Sequence, residues 1–351
     1  MINWLRYYVL ENSRPLLVIG LFLAMAISGS PASAADEVNV YSARKEALIK
    51  PLLDRFTAGT GITVNLVTGK APQLHERLVI EGRNSPADVL ITADAGNLHR
   101  AKEAGLLRSV TSETLESAIP PSYRDPDGQW WGFSLRARVI VYAPNRVDPA
   151  KLSTYEDLVS PEWHDRFLVR SSSNIYNQSL IASMLSIHGA EATEVWARGL
   201  VANMARNPKG GDTDQIRAVA AGEGDLALVN TYYYGRLLAS NKEKDQAVIA
   251  ETALFFPNQD GRGSHVNVSG GGVTAHAPNP DNAVKLLEFL AGADAQRLFA
   301  ELNHEIPVRH GVPASAIVQS WGEFKMDDLP LSTLGEFNRA AIETADRAGW
   351  R

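Results

Sequence analysis

Val38-Asn39-Val40-Tyr41, a run with Leu48, Ile49, Leu52, Leu53 and Phe56 as its apolar positions, and Ile62-Thr63-Val64-Asn65-Leu66-Val67 together carry the plan of the chain. The outer two runs are short and β-rich, and the second alternates as a half-buried strand does. Between them the apolar positions recur every three or four residues, which places them on one face of a helix over 46–57. Working outward, residues 73–81 read as a second helix, 87–91 as a third strand, and 95–104 as a third helix closed by Gly105. Strands that alternate with helices need crossover connections, so this segment is expected to build an α/β sheet with parallel neighbours.

The same grammar returns further along. Residues 166–169 read as a strand and 177–188 as a helix ending before Gly189. Asp212 or Thr213 can cap a helix running to Ala221, and 226–229 form the next strand. Arg138-Val139-Ile140-Val141-Tyr142 is β-rich enough to cross between the two units, and further helices are expected over 278–290 and 294–302. Two such units in 351 residues agree with a typical domain length of ~150 residues.

Composition narrows the chemistry. The chain is 45% apolar and 21% charged, which is the balance of a globular protein. Its formal charge of -6 offers no electrostatic footprint for nucleic acid. It has no cysteine, which excludes disulfide scaffolds, thiolate metal sites and a cysteine nucleophile, but not metals that prefer oxygen. Arg6 and Arg14, the apolar run from Leu16 to Ile27, and Ala32-Ser33-Ala34 read as a cleavable secretory signal over residues 1–34. That run is shorter than the ~20 residues of a membrane span. Export to a bacterial periplasm is expected.

The most unusual local feature is Asn230-Thr231-Tyr232-Tyr233-Tyr234-Gly235-Arg236, directly after the 226–229 strand. In an open α/β sheet, ligands sit at the carboxyl ends of strands. Consecutive residues on a helix point ~100° apart, so the three tyrosines cannot all share one core face. Phenol oxygens cost free energy when buried without partners. Two readings follow, phenols converging in a cleft or mixed packing and exposure. Phenolate is a hard donor whose proton leaves near neutral pH only with strong cationic help, and hard trivalent iron supplies it. The eight histidines offer no rival: His75-Glu76 lacks the second histidine of a zinc-protease helix, and Pro307 separates His304 from His310. A second candidate is Arg170-Ser171-Ser172-Ser173-Asn174-Ile175-Tyr176-Asn177-Gln178, again a strand followed by a helix start. Ser171, Ser172, Ser173 and Asn174 can cap that helix or hold an anion at its positive end.

Taken in order, Val40 to Arg44, Ser85 to Val89, Arg136 to Tyr142, Arg170 to Gln178, Asn230 to Tyr234 and Phe289 to Gly292 resemble the periplasmic ferric-iron-binding proteins, the solute-binding components of iron ABC importers. The resemblance implies a two-lobed periplasmic binding protein fold of the type II kind, each lobe a mixed sheet flanked by helices, joined by crossing hinge strands. It implies a first lobe over 35–135 completed by about 263–313, and a second over 136–262 completed by about 314–351. The family's inter-lobe tyrosine falls on Tyr176 and its tyrosine pair on Tyr232 and Tyr233, leaving Tyr234 to face elsewhere. Arg136 and Arg236 match family arginines that offset phenolate charge or hold an anion. Many relatives carry His-Tyr, or a lone His, after the first-strand motif, where this chain has Lys45-Glu46. Glu46 could supply a carboxylate there; otherwise carbonate, another anion or water completes the shell, with Arg44 and the Ser171–Asn174 segment as anion contacts.

The expected function is therefore capture of Fe(III), without catalysis, by a monomer that docks on an inner-membrane permease and binds no nucleic acid. One alternative is an anionic organic or phosphorylated solute held by Arg44, Arg136 and Arg236. The other is a periplasmic enzyme using Asp88, Asp94 or Glu46, although no nucleophile–base pairing emerges from the sequence.

Overall fold

The structure is a computed structural model and describes residues 36–351; the signal expected over 1–34 lies outside the described residues. Nine strands form one mixed sheet: β1 (Glu37–Ser42), β2 (Thr63–Thr68), β3 (Val89–Ala93), β4 (Trp131–Tyr142), β5 (Phe167–Leu168), β6 (Leu226–Asn230), β7 (Ala253–Phe255), β8 (Val266–Val273) and β9 (Ile306–Pro307). The order is β2-β1-β3-β8-β4-β6-β5, with β7 and β9 pairing on β4. β1 runs parallel to β2 and β3, as the crossover reading requires. β5 is likewise parallel to β6.

The two strands that join these parallel sets are antiparallel to their neighbours. β4 pairs with β8 over its first half and with β6 and β7 over its second. All twelve residues of β4 are buried, so its sequence does not alternate and its first half is not recognisable from periodicity alone. The crossing strand expected over 138–142 therefore starts seven residues earlier, at Trp131. β8 has no counterpart among the strands expected from sequence, and its Gly270-Gly271-Gly272 run lacks the side chains that mark a strand. These glycines are required by close packing: a Cβ on Gly271 would stand 2.7 Å from the Leu90 carbonyl oxygen of β3. Gly271→Ala is expected to cost about 1–3 kcal/mol, read as a lower denaturant midpoint at unchanged m.

Helices cover both faces. Glu46–Thr60 buries Ile49, Leu52, Leu53 and Phe56 of the five positions read from sequence, leaving Leu48 half-buried, and each fully buried side chain contributes roughly 1.5–3 kcal/mol when removed from water. The helix expected over 177–188 begins two residues earlier, at Ile175, because Asn174 caps it by accepting from the Tyr176 amide at 3.1 Å. It also continues past Gly189, which takes φ 77° at a kink, to Ala202. The next helix, Asp212–Ala220, is capped by Gly211, whose amide donates to Asp214. Asp212 is not the cap; its carboxylate is taken by two arginines of the site. The C-terminal helix Asn338–Ala348 packs on Ile175–Ala202, and the short helix Ser332–Glu336 lies against both Ala95–Glu103 and Ile175–Ala202. Among the described residues no helix is long and apolar enough to cross a membrane.

Candidate metal centre

Three elements bring the site together. β6 ends at Asn230 and turns directly into the helix Thr231–Leu238, which carries Tyr232 and Tyr233 on its first turn. Tyr176 stands one residue inside the helix that Asn174 caps. β1 ends at Ser42, and the three residues before the next helix are Ala43, Arg44 and Lys45. Around them lies a cavity of about 180 Å³, lined by the three tyrosines, by Arg44, Lys45, Arg136 and Arg236, and by Asn303 and Glu305 among others.

The phenols converge. Tyr232 donates its hydroxyl to the Tyr176 hydroxyl at 3.1 Å, and the Tyr232 and Tyr233 rings lie 4.3 Å apart between centroids. Tyr234 points away and donates to the Thr252 carbonyl at 2.9 Å. Guanidinium groups back the rings: Arg136 and Arg170 each stand 5.6 Å from the Tyr176 centroid, and Arg236 stands 5.0 Å from Tyr232 and 5.6 Å from Tyr233. Burial, reinforced by the neighbouring Tyr233, pushes the Tyr176 phenol up to about 12. Burial and the same phenol cluster hold Tyr232 well above the ordinary tyrosine range. Without a cation in the cavity these groups are neutral; a bound trivalent ion inverts that preference.

The arginines differ in how free they are. Arg44 is locked to Glu305 by two hydrogen bonds of 3.3 and 2.8 Å, and Ser134 donates to the same carboxylate at 2.9 Å. Burial alone would raise Glu305, but Arg44 and Ser134 outweigh it and hold the group below the usual carboxylate range. Arg136 donates to Asp94 at 3.3 Å. Arg236 donates to Asn303 at 2.7 Å, which fixes it over the tyrosine pair. Arg236→Ala removes that cation, and the expected loss is about 10–100-fold in iron affinity, measured by competition with a chelator.

Other sequence candidates lie apart. Glu46 is exposed on the first residue of its helix and does not line the cavity, whereas Lys45 does. Ser171, Ser172, Ser173 and Asn174 do not line it either. Ser172 donates to the Trp350 carbonyl and Trp350 donates its indole N–H to the Arg170 carbonyl, so this segment anchors the C-terminus and starts the helix. Of the residues that organise the arginines, Asn303 and Glu305 were not read from sequence, Asp212 was read as a helix cap, and Asp94 only as an acid or base of the enzyme alternative. Their partners lie 42 to 261 positions away in the chain, and no local pattern marks such pairs.

Residues 52–326 match the family described as bacterial extracellular solute-binding protein, and the chain belongs to that family. Among its relatives, iron uptake protein A1 of Synechocystis is 49% identical over 95% of this chain and 95% of its own. The Trichodesmium protein IdiA (FutA), solved in complex with iron and citrate ligands, superposes with a TM-score of 0.87 at 52% identity, covering 90% of this chain and 100% of that one. The ferric binding protein of Campylobacter jejuni gives 0.85 at 41% identity, covering 90% and 100%. The two-lobed architecture expected from sequence is the architecture of these proteins.

Proposed function

We propose that the protein is the periplasmic substrate-binding component of an iron ABC importer. It captures Fe(III) between its two lobes through the phenolates of Tyr176, Tyr232 and Tyr233 and passes it, as a monomer, to an inner-membrane permease. The observation that carries this reading is the meeting of three phenols in one arginine-backed cavity. Three phenolates balance the charge of Fe(III), and hard oxygen donors suit it. The names of the relatives point the same way. In the division into lobes at 35–135 with about 263–313, and 136–262 with about 314–351, the packing of Asn338–Ala348 on Ile175–Ala202 supports the place of the last helix in the second lobe, while Ser332–Glu336 also touches Ala95–Glu103 of the first. Closure of the lobes over iron shifts a hinge equilibrium that the permease reads; no reaction is catalysed.

A shell with more than three positions needs other donors. Glu46 lies outside the cavity lining, which favours carbonate, another anion or water in its place, with Lys45 and Arg236 at hand to meet negative charge. The anionic-solute reading is weakened because Arg44 and Arg136 are already held by buried carboxylates. The enzyme reading is weakened too: Asp88 is occupied by Asn39 and Asn279, and Asp94 accepts four hydrogen bonds. Calorimetry with ferric citrate against a phosphorylated sugar separates the readings. Tight, coloured binding of iron alone is expected; tight binding of the sugar phosphate by a protein that stays colourless overturns the proposal.

A further inference from the structure

Between the end of the helix Ala293–Asn303 and the start of β9 at Ile306 the chain turns sharply through His304, whose φ of 54° is left-handed. Histidine is among the residues that tolerate this region, where most side chains are strained. With the turn in place, Asn303 and Glu305 on either side of it both line the cavity of the tyrosines. Both are buried, and they reach toward different lobes.

Glu305 faces the first lobe. It accepts from Arg44 and Ser134, and the residues that follow pair as β9 with β4, Ile306 opposite Leu135 and Pro307 opposite Ser134. The helix that leads into the turn packs on Glu46–Thr60 and Pro280–Ala291. The segment is therefore fastened to the first lobe by charge, by strand pairing and by helix packing. Toward the second lobe the hold is slighter. Asn303 accepts from Arg236 Nε at 2.7 Å, and His304 packs on Gly235, where a Cβ would stand 2.9 Å from the His304 Cβ. Gly235 and Arg236 belong to Thr231–Leu238, the helix that carries Tyr232 and Tyr233. None of these contacts uses a tyrosine hydroxyl. When the lobes separate, such a joint parts at its weaker side, between Arg236 and Asn303.

We infer that Asn303-His304-Glu305 is a clasp across the cleft, in which Asn303 is the positioning residue for Arg236. The clasp rests on the two-lobed, iron-capturing function proposed for the protein and adds how closure reaches the metal. With the cleft shut, Asn303 holds the guanidinium 5.0 Å from the Tyr232 ring and 5.6 Å from the Tyr233 ring, where it offsets phenolate charge. With the cleft open, Arg236 loses that partner. Iron capture charges the phenolates and closure positions their counter-charge, so each favours the other.

The chain has no cysteine, so nitroxide labels can be confined to Lys50→Cys and Lys244→Cys, exposed positions on the first and second lobes. Pulsed electron-resonance distances between them, in the iron-free protein, test the clasp. Asn303→Ala and Arg236→Ala are each expected to move population from a shorter to a longer distance, and the double variant to move no more than either alone. Asn303→Asp, which offers Arg236 a carboxylate, is expected to keep the shorter distance. Distributions in both single variants that match the parent overturn the inference, as does a double variant whose shift is the sum of the two. In the iron-loaded protein, Asn303→Ala should speed iron release to a chelator about tenfold with the visible band at unchanged wavelength, the worth of one hydrogen bond to a charged group. Release at the parent rate also overturns the inference. The distance measurement contains no iron, so it decides the clasp even if the phenols prove not to be the ligands, and a missing phenolate band counts against the iron reading alone.

Discussion

Tyr232→Phe is expected to weaken ferric-iron binding more than ~100-fold, beyond the ~10–100-fold that loss of an outer-shell partner costs. The substitution removes one oxygen and leaves the ring, which keeps its place 4.3 Å from Tyr233 and 5.0 Å from the Arg236 guanidinium. The lost hydrogen bond to Tyr176 is worth only ~0.5–1.5 kcal/mol, so the iron-free variant should melt within a few degrees of wild type. Affinity is read by chelator competition and ligation by the visible phenolate-to-iron band, which should fade. Tyr234→Phe is the matched control: its hydroxyl serves the Thr252 carbonyl, and it should leave affinity and colour unchanged.

Iron binding should also release protons, and so strengthen steeply with pH. Tyr176 has its phenol pushed up to about 12 and Tyr232 lies well above the ordinary range, so both are protonated near neutrality. As phenolate ligands each must give up its proton, and these two alone make the apparent affinity rise ~100-fold per pH unit, falling by the same factor as pH drops. Titrations between about pH 6 and 8, in buffers of different ionisation enthalpy, count the protons. At least two per iron are expected, after allowance for the competing chelator; an affinity indifferent to pH contradicts phenolate ligation. In the iron-free protein the sign reverses. A raised phenol favours the folded state fully below the ordinary value near 10, and that contribution is lost as pH climbs through the folded value.

The sequence was most legible where periodicity or a turn from strand to helix sets local structure. The helix from Glu46 and strands β1, β2 and β3 follow from alternation and the three-four stripe. The placement of Tyr176, Tyr232 and Tyr233 at helix starts after strand ends was legible for the same reason. β8 was hidden because its three glycines serve backbone contact with β3 and β4, which only the sheet order reveals. The extent of β4 was hidden by burial on both faces. At the site, the tyrosines announce themselves as a run, but the state of each arginine does not. Arg44 and Arg136 look like free anion contacts until Glu305 and Asp94 are seen to hold them. Asp212 looks like a helix cap until Arg138 and Arg170 are found on it. Such pairs are fixed by tertiary packing of distant segments, and a single sequence carries no trace of them.

Three phenol oxygens are proposed to share one iron. A crystal structure of the protein loaded with Fe(III), phased with data collected on both sides of the iron edge, tests it most directly. One anomalous iron peak is expected, bonded to the hydroxyl oxygens of Tyr176, Tyr232 and Tyr233, with the hydrogen bond between Tyr232 and Tyr176 replaced by shared ligation. An iron peak held elsewhere, or a cavity in which Tyr232 still donates to Tyr176 in the loaded protein, would contradict it.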